Sequence, residues 1–485
     1  MAKQIIVIFG NQLVADHPAL EAYPEAEIVM IEADDLCRKR RYHKHKLILV
    51  LASMREYRDS LIKRGRTVSY VEYKKDSTFK AELTKQLNDA KKVVWMQTPD
   101  RGPNRLVGLL AEKSNITHDM LTSTQFLTSP SEFGSWLDNQ KSNAPRMETF
   151  YHWQRKRLDI LMDGNQPAGG EWNYDKENRK PLPKKLPMIP SLPPIARTTH
   201  VKDVTELINY HFYDNPGSTD TFWLPTTRGE SLHWLNTFID ERLELFGDYE
   251  DAMREDQPFL YHSVISPLLN LGLLTPNEII KKIVASYESG AAPLNSVEGY
   301  VRQIIGWREF MFGLYWHKED SFHKNIFGFD KPLESWWYSG KTKEANLPLP
   351  VERCLKSVHI YGYSHHIERL MVFGNWFLLD SYDPRSVYEW FMSLYVDAYE
   401  WVMIPNVLGM SQYADGRMLA SKPYVSGSNY LQKMGSWWDS SQSAKESIMA
   451  QKYWDFLYDN RHTFANNQRM SLAIRQAEQR HKNTS

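Results

Sequence analysis

Disulfides, membrane spans and a bias of charge are all missing from this chain. Only two cysteines, Cys37 and Cys354, occur in 485 residues, which excludes a disulfide framework and suits a reducing compartment. No apolar run approaches the ~18 residues a transmembrane helix needs. The opening MAKQIIVIFG carries too short an apolar run for a signal peptide. A soluble cytoplasmic protein with no membrane partner is expected. Lys plus Arg and Asp plus Glu both number 59, for a net charge of 0, so any phosphate-binding surface must come from local segregation of charge. The N-terminal part lacks a G-x-G-x-x-G, hence a dinucleotide fingerprint. Internal repeats are absent as well.

What is present begins with length and aromatic rings. At 485 residues the chain is too long for one compact core, and two domains or more are expected. Aromatic residues make up 13%, with 16 Trp, which suits a protein that stacks flat rings. Residues 1–125 alternate short apolar runs at 5–10, 27–33, 67–73, 92–97 and 116–121 with helical segments such as 44–64 and 77–90. That rhythm predicts an α/β domain with a parallel, Rossmann-like sheet. A basic run, DLCRKRRYHKHK (35–46), reads either as a solvated helix start or as a surface near a chromophore or DNA. Residues 126–200 read as an irregular interdomain linker, proline-rich over 181–195. Residues 201–485 read as a larger all-α domain, with helical spacing at 229–246, 277–288, 296–316, 365–379 and 385–402. Ser266-Pro267 and Thr275-Pro276 mark helix starts.

The stretch from Tyr361 to Gly416 organises the rest, as two helices and a polar loop. In the first helix Ile367, Leu370, Met371, Gly374, Phe377 and Leu378 share a buried face. Asp383-Pro384 opens the second as N-cap and first helical residue. Its stripe is Val387, Phe391, Leu394, Tyr395, Ala398 and Val402. Polar residues interrupt both. Arg369 lies one turn beyond His366, and a buried Arg369 needs a carboxylate, for which Asp397 is the candidate. The plainer account of these residues is a structural ion pair beside two surface histidines, His365 and His366.

HHIERLM, DAYEW and NVLGMSQYADG, with METFYHWQRK (147–156), GGEWNYDKENR (169–179), YHSVISPLLNLGLLTP (261–276) and EGYVRQIIGWREFMFG (298–313), resemble the photolyase/cryptochrome superfamily. Within it, the bacterial (6-4) photolyases and iron–sulfur cryptochromes are the nearest in pattern. The resemblance runs nearly end to end. It implies flavin adenine dinucleotide (FAD) held in the helical domain, with photochemistry supplied by the cofactor and position by the protein. His262, Ser263 and Ser266 would hold the pyrophosphate, with Tyr249 a weaker candidate. Gln303 and Arg308 match flavin-contacting positions, and Val264, Tyr399, Val402, Met403 and Asn406 complete the implied lining. Arg369 and Asp397 carry over as the pair beside the flavin ring. His366 matches the proton donor of (6-4) repair, oriented by His365. Trp390 and Tyr399 remain from the electron-transfer chain. The implied partner is UV-damaged DNA, double- or single-stranded, from which the lesion is flipped out. A monomer is expected.

The sequence departs from that pattern at three places. Relatives that bind [4Fe–4S] use four cysteines; two in the whole chain, with Cys354 near one ligand position, leave no iron–sulfur cluster and no metal site. Met403 stands where close relatives carry Glu facing the flavin, and Phe391 where they often carry Tyr. The resemblance also implies an antenna chromophore in the N-terminal domain, 6,7-dimethyl-8-ribityllumazine or another, although Ile31 and Leu36 replace polar residues that approach it. A (6-4) photolyase, a carbon–carbon lyase, is the leading expectation, because His366 has no use in a cyclobutane-dimer enzyme. A cryptochrome-type blue-light photoreceptor is the alternative, and a flavoprotein without photochemistry the third.

Overall fold

The computed structural model describes residues 3–140, 145–185, 187–342, 346–435 and 437–484. Small parts of the connector (141–144 and 186), of the segment after 434 (436) and of the tail (485) lie outside the described residues.

Five strands form one sheet: β1 (Gln4–Val7), β2 (Glu27–Ile31), β3 (Val68–Val71), β4 (Lys92–Met96) and β5 (Thr117–Leu121), in the order β3-β2-β1-β4-β5. All pairs are parallel, with Ile6 opposite Ile28 on one side and Val94 on the other. Parallel strands are covered on both faces, which is why they read as unbroken apolar runs. Ile5, Val7, Val29, Val93 and Trp95 face a core shared with Leu83, Val107 and Leu110. Ile6, Ile28, Met30 and Val94 face the helix Lys44–Lys63, and that core continues without a gap into Leu268, Val297 and Val301 of the helical part. The five strand positions and the Lys44–Lys63 helix agree with the sequence pattern.

Three sequence expectations are corrected here. The basic run is only partly a solvated face: Arg38, Lys39 and Arg41 are exposed, while the rest docks on the helical part. Arg40 Nη2 donates to Glu389 Oε1 at 2.9 Å, Arg38 Nη2 to the His211 carbonyl at 2.8 Å, and His45 Nε2 lies 2.8 Å from the Ser218 carbonyl oxygen. His43, His45 and Lys46 are buried. Arg38, Arg40, His45 and Lys46 tie the run to carbonyls and a carboxylate of the helical part. Second, the connector is not irregular throughout. Helices Pro130–Asp138 and Met147–Leu158 fall within it, the latter burying Phe150, Tyr151, Gln154 and Arg155, with Tyr151 donating to Glu298 at 2.8 Å. Third, the helix expected over 385–402 stops at Leu394, Tyr395 turns extended (φ −99°, ψ 129°), and helix resumes at Glu400.

The break at 395–399 leaves backbone groups without helical partners. Distant partners satisfy them: the side chains of Lys46 and Asn270 donate, Nζ to the Ala398 carbonyl and Nδ2 to the Asp397 carbonyl at 2.9 Å, and the Val396 backbone N–H donates to the Gly362 carbonyl at 2.9 Å. The expected polar loop after Met403 is also helical, as a wide turn over Ile404–Ser411 with Pro405 in its first turn. Thr275 and Asp383 cap their helices as expected. Ser266 does not cap; it is the first residue of Ser266–Leu271, and its hydroxyl is used elsewhere. No helix among the described residues is long and apolar enough to cross a membrane.

Ligands of open α/β sheets sit beyond the strand ends where the order reverses, here between β1 and β4. That crevice is filled. Gln12, fully buried, donates Nε2 to the Met96 and Gln97 carbonyls at 2.8 and 3.2 Å, Leu13 N donates to the Leu271 carbonyl at 2.8 Å, and Met54 packs against Gly10. Ile31 is buried and Leu36 is 46% exposed.

Candidate functional site

A cavity of about 310 Å³ opens in the helical part. Three of its walls are wide π-helical turns, Arg302–Arg308, Glu368–Gly374 and Ile404–Ser411. Such turns carry one extra residue per turn and recur at functional sites because they push side chains out of α-helical register. Gly374 is required where two of them meet, since a Cβ there would collide with Ser411 Oγ. The fourth wall is the segment around His262 to Asn270, and the fifth the helix break carrying Asp397.

Arg369 and Asp397 meet in two parallel hydrogen bonds, Nη1 to Oδ1 at 2.9 Å and Nη2 to Oδ2 at 3.0 Å. Arg369 Nε donates to the Ser364 carbonyl at 2.7 Å, and Ser266 Oγ donates to Asp397 Oδ2 at 2.6 Å. Burial alone pushes the Asp397 carboxyl up, and the Arg369 charge, its hydrogen bonds and that of Ser266, with Lys46 farther off, reverse this and hold it below the usual range. The pair is therefore ionised and oriented. It faces the cavity with Asp397 Oδ2 accepting from both Arg369 and Ser266.

His262, Ser263, Val264, Ser266, Gln303, Arg308, His366, Arg369, Asp397, Val402, Met403 and Asn406 all line this cavity. Val264 sits at φ 56°, a conformation in which a β-branched residue is strained. Tyr300 donates to Ser263 Oγ at 2.9 Å, and Gln303 Nε2 to Glu250 Oε1 at 2.8 Å. Burial brings the Glu250 carboxyl up to about 8. The Arg308 guanidinium lies 4.0 Å over the Phe126 ring and gives Nη1 to the Gln125 carbonyl at 2.8 Å. His262 Nε2 and Arg308 Nε are buried without hydrogen-bond partners.

His366 is exposed to the cavity while His365 behind it is buried. Its pKa is lowered to about 4, first by burial and then by the Arg369 charge; the open cavity over the ring limits that depression, because water reaches it. His365 does not orient His366 by a hydrogen bond. Both its ring nitrogens lack partners, and its ring stacks on His262 at 4.6 Å.

Tyr249, Tyr399 and Trp390 do not line the cavity. Tyr249 packs with Tyr261 and Leu245, and Tyr399 lies under Lys46 Nζ at 5.2 Å. Trp390 is fully buried one layer back, 5.0 Å from Phe391, which does line the wall. Glu250, Asp251, Tyr300, Tyr363 and Trp401 line the cavity without having been singled out from the sequence. The acidic DYED run at 248–251 was the one available sign of the first two. Among the described residues no group of three His, Cys, Asp or Glu side chains is placed to hold a metal ion, and Cys354 is buried in an apolar cluster.

The comparisons with known proteins agree with this architecture. The family model for deoxyribodipyrimidine photo-lyase-related protein matches residues 6–224. The chain is 34% identical over 484 residues to the (6-4) photolyase of Agrobacterium fabrum, covering 97% of this chain and 94% of that one. Among solved structures, the class III photolyase from Agrobacterium tumefaciens superposes with a TM-score of 0.60 at 19% identity, covering 87% of this chain and 81% of that one. The photolyase from Sulfolobus tokodaii, solved with two FAD molecules, gives 0.55 at 13%, covering 94% and 91%. The two structures share the fold with this chain.

Proposed function

Because the chain belongs to the photolyase/cryptochrome family, we propose that it is a (6-4) photolyase that binds FAD in the 310 Å³ cavity and acts on UV-damaged DNA. The carrying observation is His366 opening into that cavity beside the bidentate Arg369–Asp397 pair.

The residues fit a flavin dinucleotide. His262 Nε2 and Arg308 Nε are buried donors or acceptors without partners, a costly arrangement unless a ligand completes it. Ser263, Ser266 and His262 supply the polar side for the phosphates, and Ile304, Leu370, Val402, Met403 and Met410 the apolar walls for flat rings. When bound, the flavin supplies the light-driven electron. The fixed charge of Arg369 favours an anionic ring beside it, and Asp397 holds that charge in place. His366 gives a proton from its ring nitrogen to the lesion, which must gain one for its hydroxyl to move back between the bases. In the ligand-free cavity His366 is neutral near pH 7, so the negative charge of flavin and DNA must raise its proton affinity.

UV-damaged DNA as substrate, action as a monomer and a cytoplasmic location belong to this reading. An iron–sulfur cluster does not, for want of four thiolates. An antenna chromophore in the N-terminal domain remains part of this reading; Gln12, Met54 and the docked helical part occupy the sheet crevice, so no residue there is assigned to it and no step is routed through it. Met403 and Phe391 line the cavity where a titratable Glu and an electron-passing Tyr would otherwise stand, and they favour a photoreceptor as the second reading. Incubating the reduced protein with a (6-4)-containing oligonucleotide under blue light separates the two. Restored thymines support the proposal; binding without repair, or neither, overturns it.

A further inference from the structure

Behind the cavity, on the far side of His262, lies a pair of titratable groups that the proposed reaction does not use. His365 and Glu368 are 1% and 3% exposed. They stand one turn apart, with His365 Nε2 3.7 Å from Glu368 Oε1. Neither ring nitrogen of His365 has a hydrogen-bond partner, and Glu368 Oε2 has none either. The His365 ring stacks on His262 with centroids 4.6 Å apart and planes 17° apart. His262 in turn lines the cavity with Nε2 free of partners. A buried carboxyl, a buried imidazole and a cavity-wall imidazole thus stand in a row.

Unpaired polar atoms at such depth are costly, and an apolar residue at either position would remove the cost. A proton that can occupy either partner explains why both are there. We propose that Glu368 is a proton store for the cavity: when negative charge enters, the Glu368 carboxyl passes its proton from Oε1 to His365 Nε2, leaving a carboxylate and an imidazolium. The pair keeps its atoms and its net charge of zero, while a positive charge moves up against the His262 ring. The two atoms need approach by only about half an ångström to reach hydrogen-bond distance. Glu368 acts here as a positioning residue, through His365. The inference rests on the proposed function only in taking FAD as the anion.

Glu250 on the cavity wall is raised to about 8 as well but accepts from Gln303, and the groups packed directly against the pair are each held in one state. Burial raises the Glu368 carboxyl to about 8, opposed by the Cys354 thiol, the His365 backbone and Arg369. Burial likewise drives His365 well below its ordinary value, with His262, His366 and Arg369 adding to it. Both are neutral at rest. Cys354, on the helix Leu349–Tyr361, is pushed up by burial, by Glu368 and by Glu255 beyond it, and keeps its proton. Tyr395 is raised well above its usual range and Tyr363 is raised as well, so both keep theirs. Arg369 is committed to Asp397.

Infrared spectroscopy reads the proton directly. In flavin-free protein at pH 6.5 the protonated-carboxyl C=O absorption, to which Glu250, Glu309 and Asp100 contribute as well, should contain a component that is lost in Glu368→Gln. Loading with FAD should remove that Glu368 component in the wild type. In His365→Phe, which keeps the stack but offers no acceptor, FAD should leave the component in place. A flavin-free absorption unaltered by Glu368→Gln, or a Glu368 component that survives FAD in the wild type, overturns the proposal. If FAD does not bind, the functional reading fails; the transfer is then tested with inorganic pyrophosphate as the anion, and an unmoved Glu368 component overturns it.

Discussion

Arg369, on the wide turn Glu368–Gly374, and Asp397, in the break between two helices, close on each other through a bidentate pair, 2.9 and 3.0 Å, that also takes the Ser266 hydroxyl at 2.6 Å. The pair joins three walls of the cavity at one point. Removing one partner strands the other charge in a buried place, which costs about 3–5 kcal/mol. Asp397→Ala should therefore lower unfolding stability by that amount in denaturant titrations and strip the yellow flavin from the purified protein. A mutant that stays fully loaded would sink the flavin assignment.

Replacing His366 tests substrate and mechanism together. His366→Asn keeps polarity and much of the volume but cannot donate the proton. Flavin content and lesion binding should survive, since binding draws on phosphate contacts and the flipped base. Light-driven repair should drop about two orders of magnitude or more, the range for a lost general acid. In the wild type, repair should slow as pH rises, because the donor is the protonated ring. Full repair by His366→Asn would refute the role.

The parts of the fold that sequence revealed are those whose signal is local. β1, β2 and β4 are buried apolar runs, and Thr275-Pro276 carries its own capping box. The break at 395–399 was hidden because Tyr395, Ala398 and Val402 continue a helical stripe straight through it. What breaks the helix is the supply of distant partners, Lys46 and Asn270, which no periodicity registers. The π turns were hidden for a related reason: one added residue per turn shifts side chains without changing composition. The same shift brings Arg369 and Asn406 into the wall. Tyr249 was assigned by position alone, and the chain turns it into a cluster with Tyr261 while Glu250 takes the cavity.

Iron should be absent from the purified protein. A [4Fe–4S] cluster takes four thiolates, and the chain has Cys37 and Cys354 alone. Both are buried free thiols, one packed beside the sheet and the other in the helical part. Elemental analysis should give iron at trace level. About four irons per chain would overturn the ligand count.

Lys46 carries the last prediction, because it links the two parts of the chain to the site. It leaves the first turn of the Lys44–Lys63 helix, is 6% exposed, and donates to the Ala398 carbonyl next to Asp397. Lys46→Met keeps the apolar stem but leaves that carbonyl without its donor, a loss of about 1–3 kcal/mol. The pH dependence identifies the cause. Burial lowers the Lys46 pKa to about 7, against the partial support of Asp397. Between that value and the ordinary 10.5, the unfolded chain binds a proton that the folded one releases, so folding gains stability as pH rises. Below about 7 both states are protonated and the buried charge is a constant cost. The destabilisation caused by Lys46→Met should accordingly be smallest near pH 7 and grow toward pH 10. Denaturant melts of both proteins across that range measure it, and a difference that shrinks with pH would show that Lys46 is not buried at this joint.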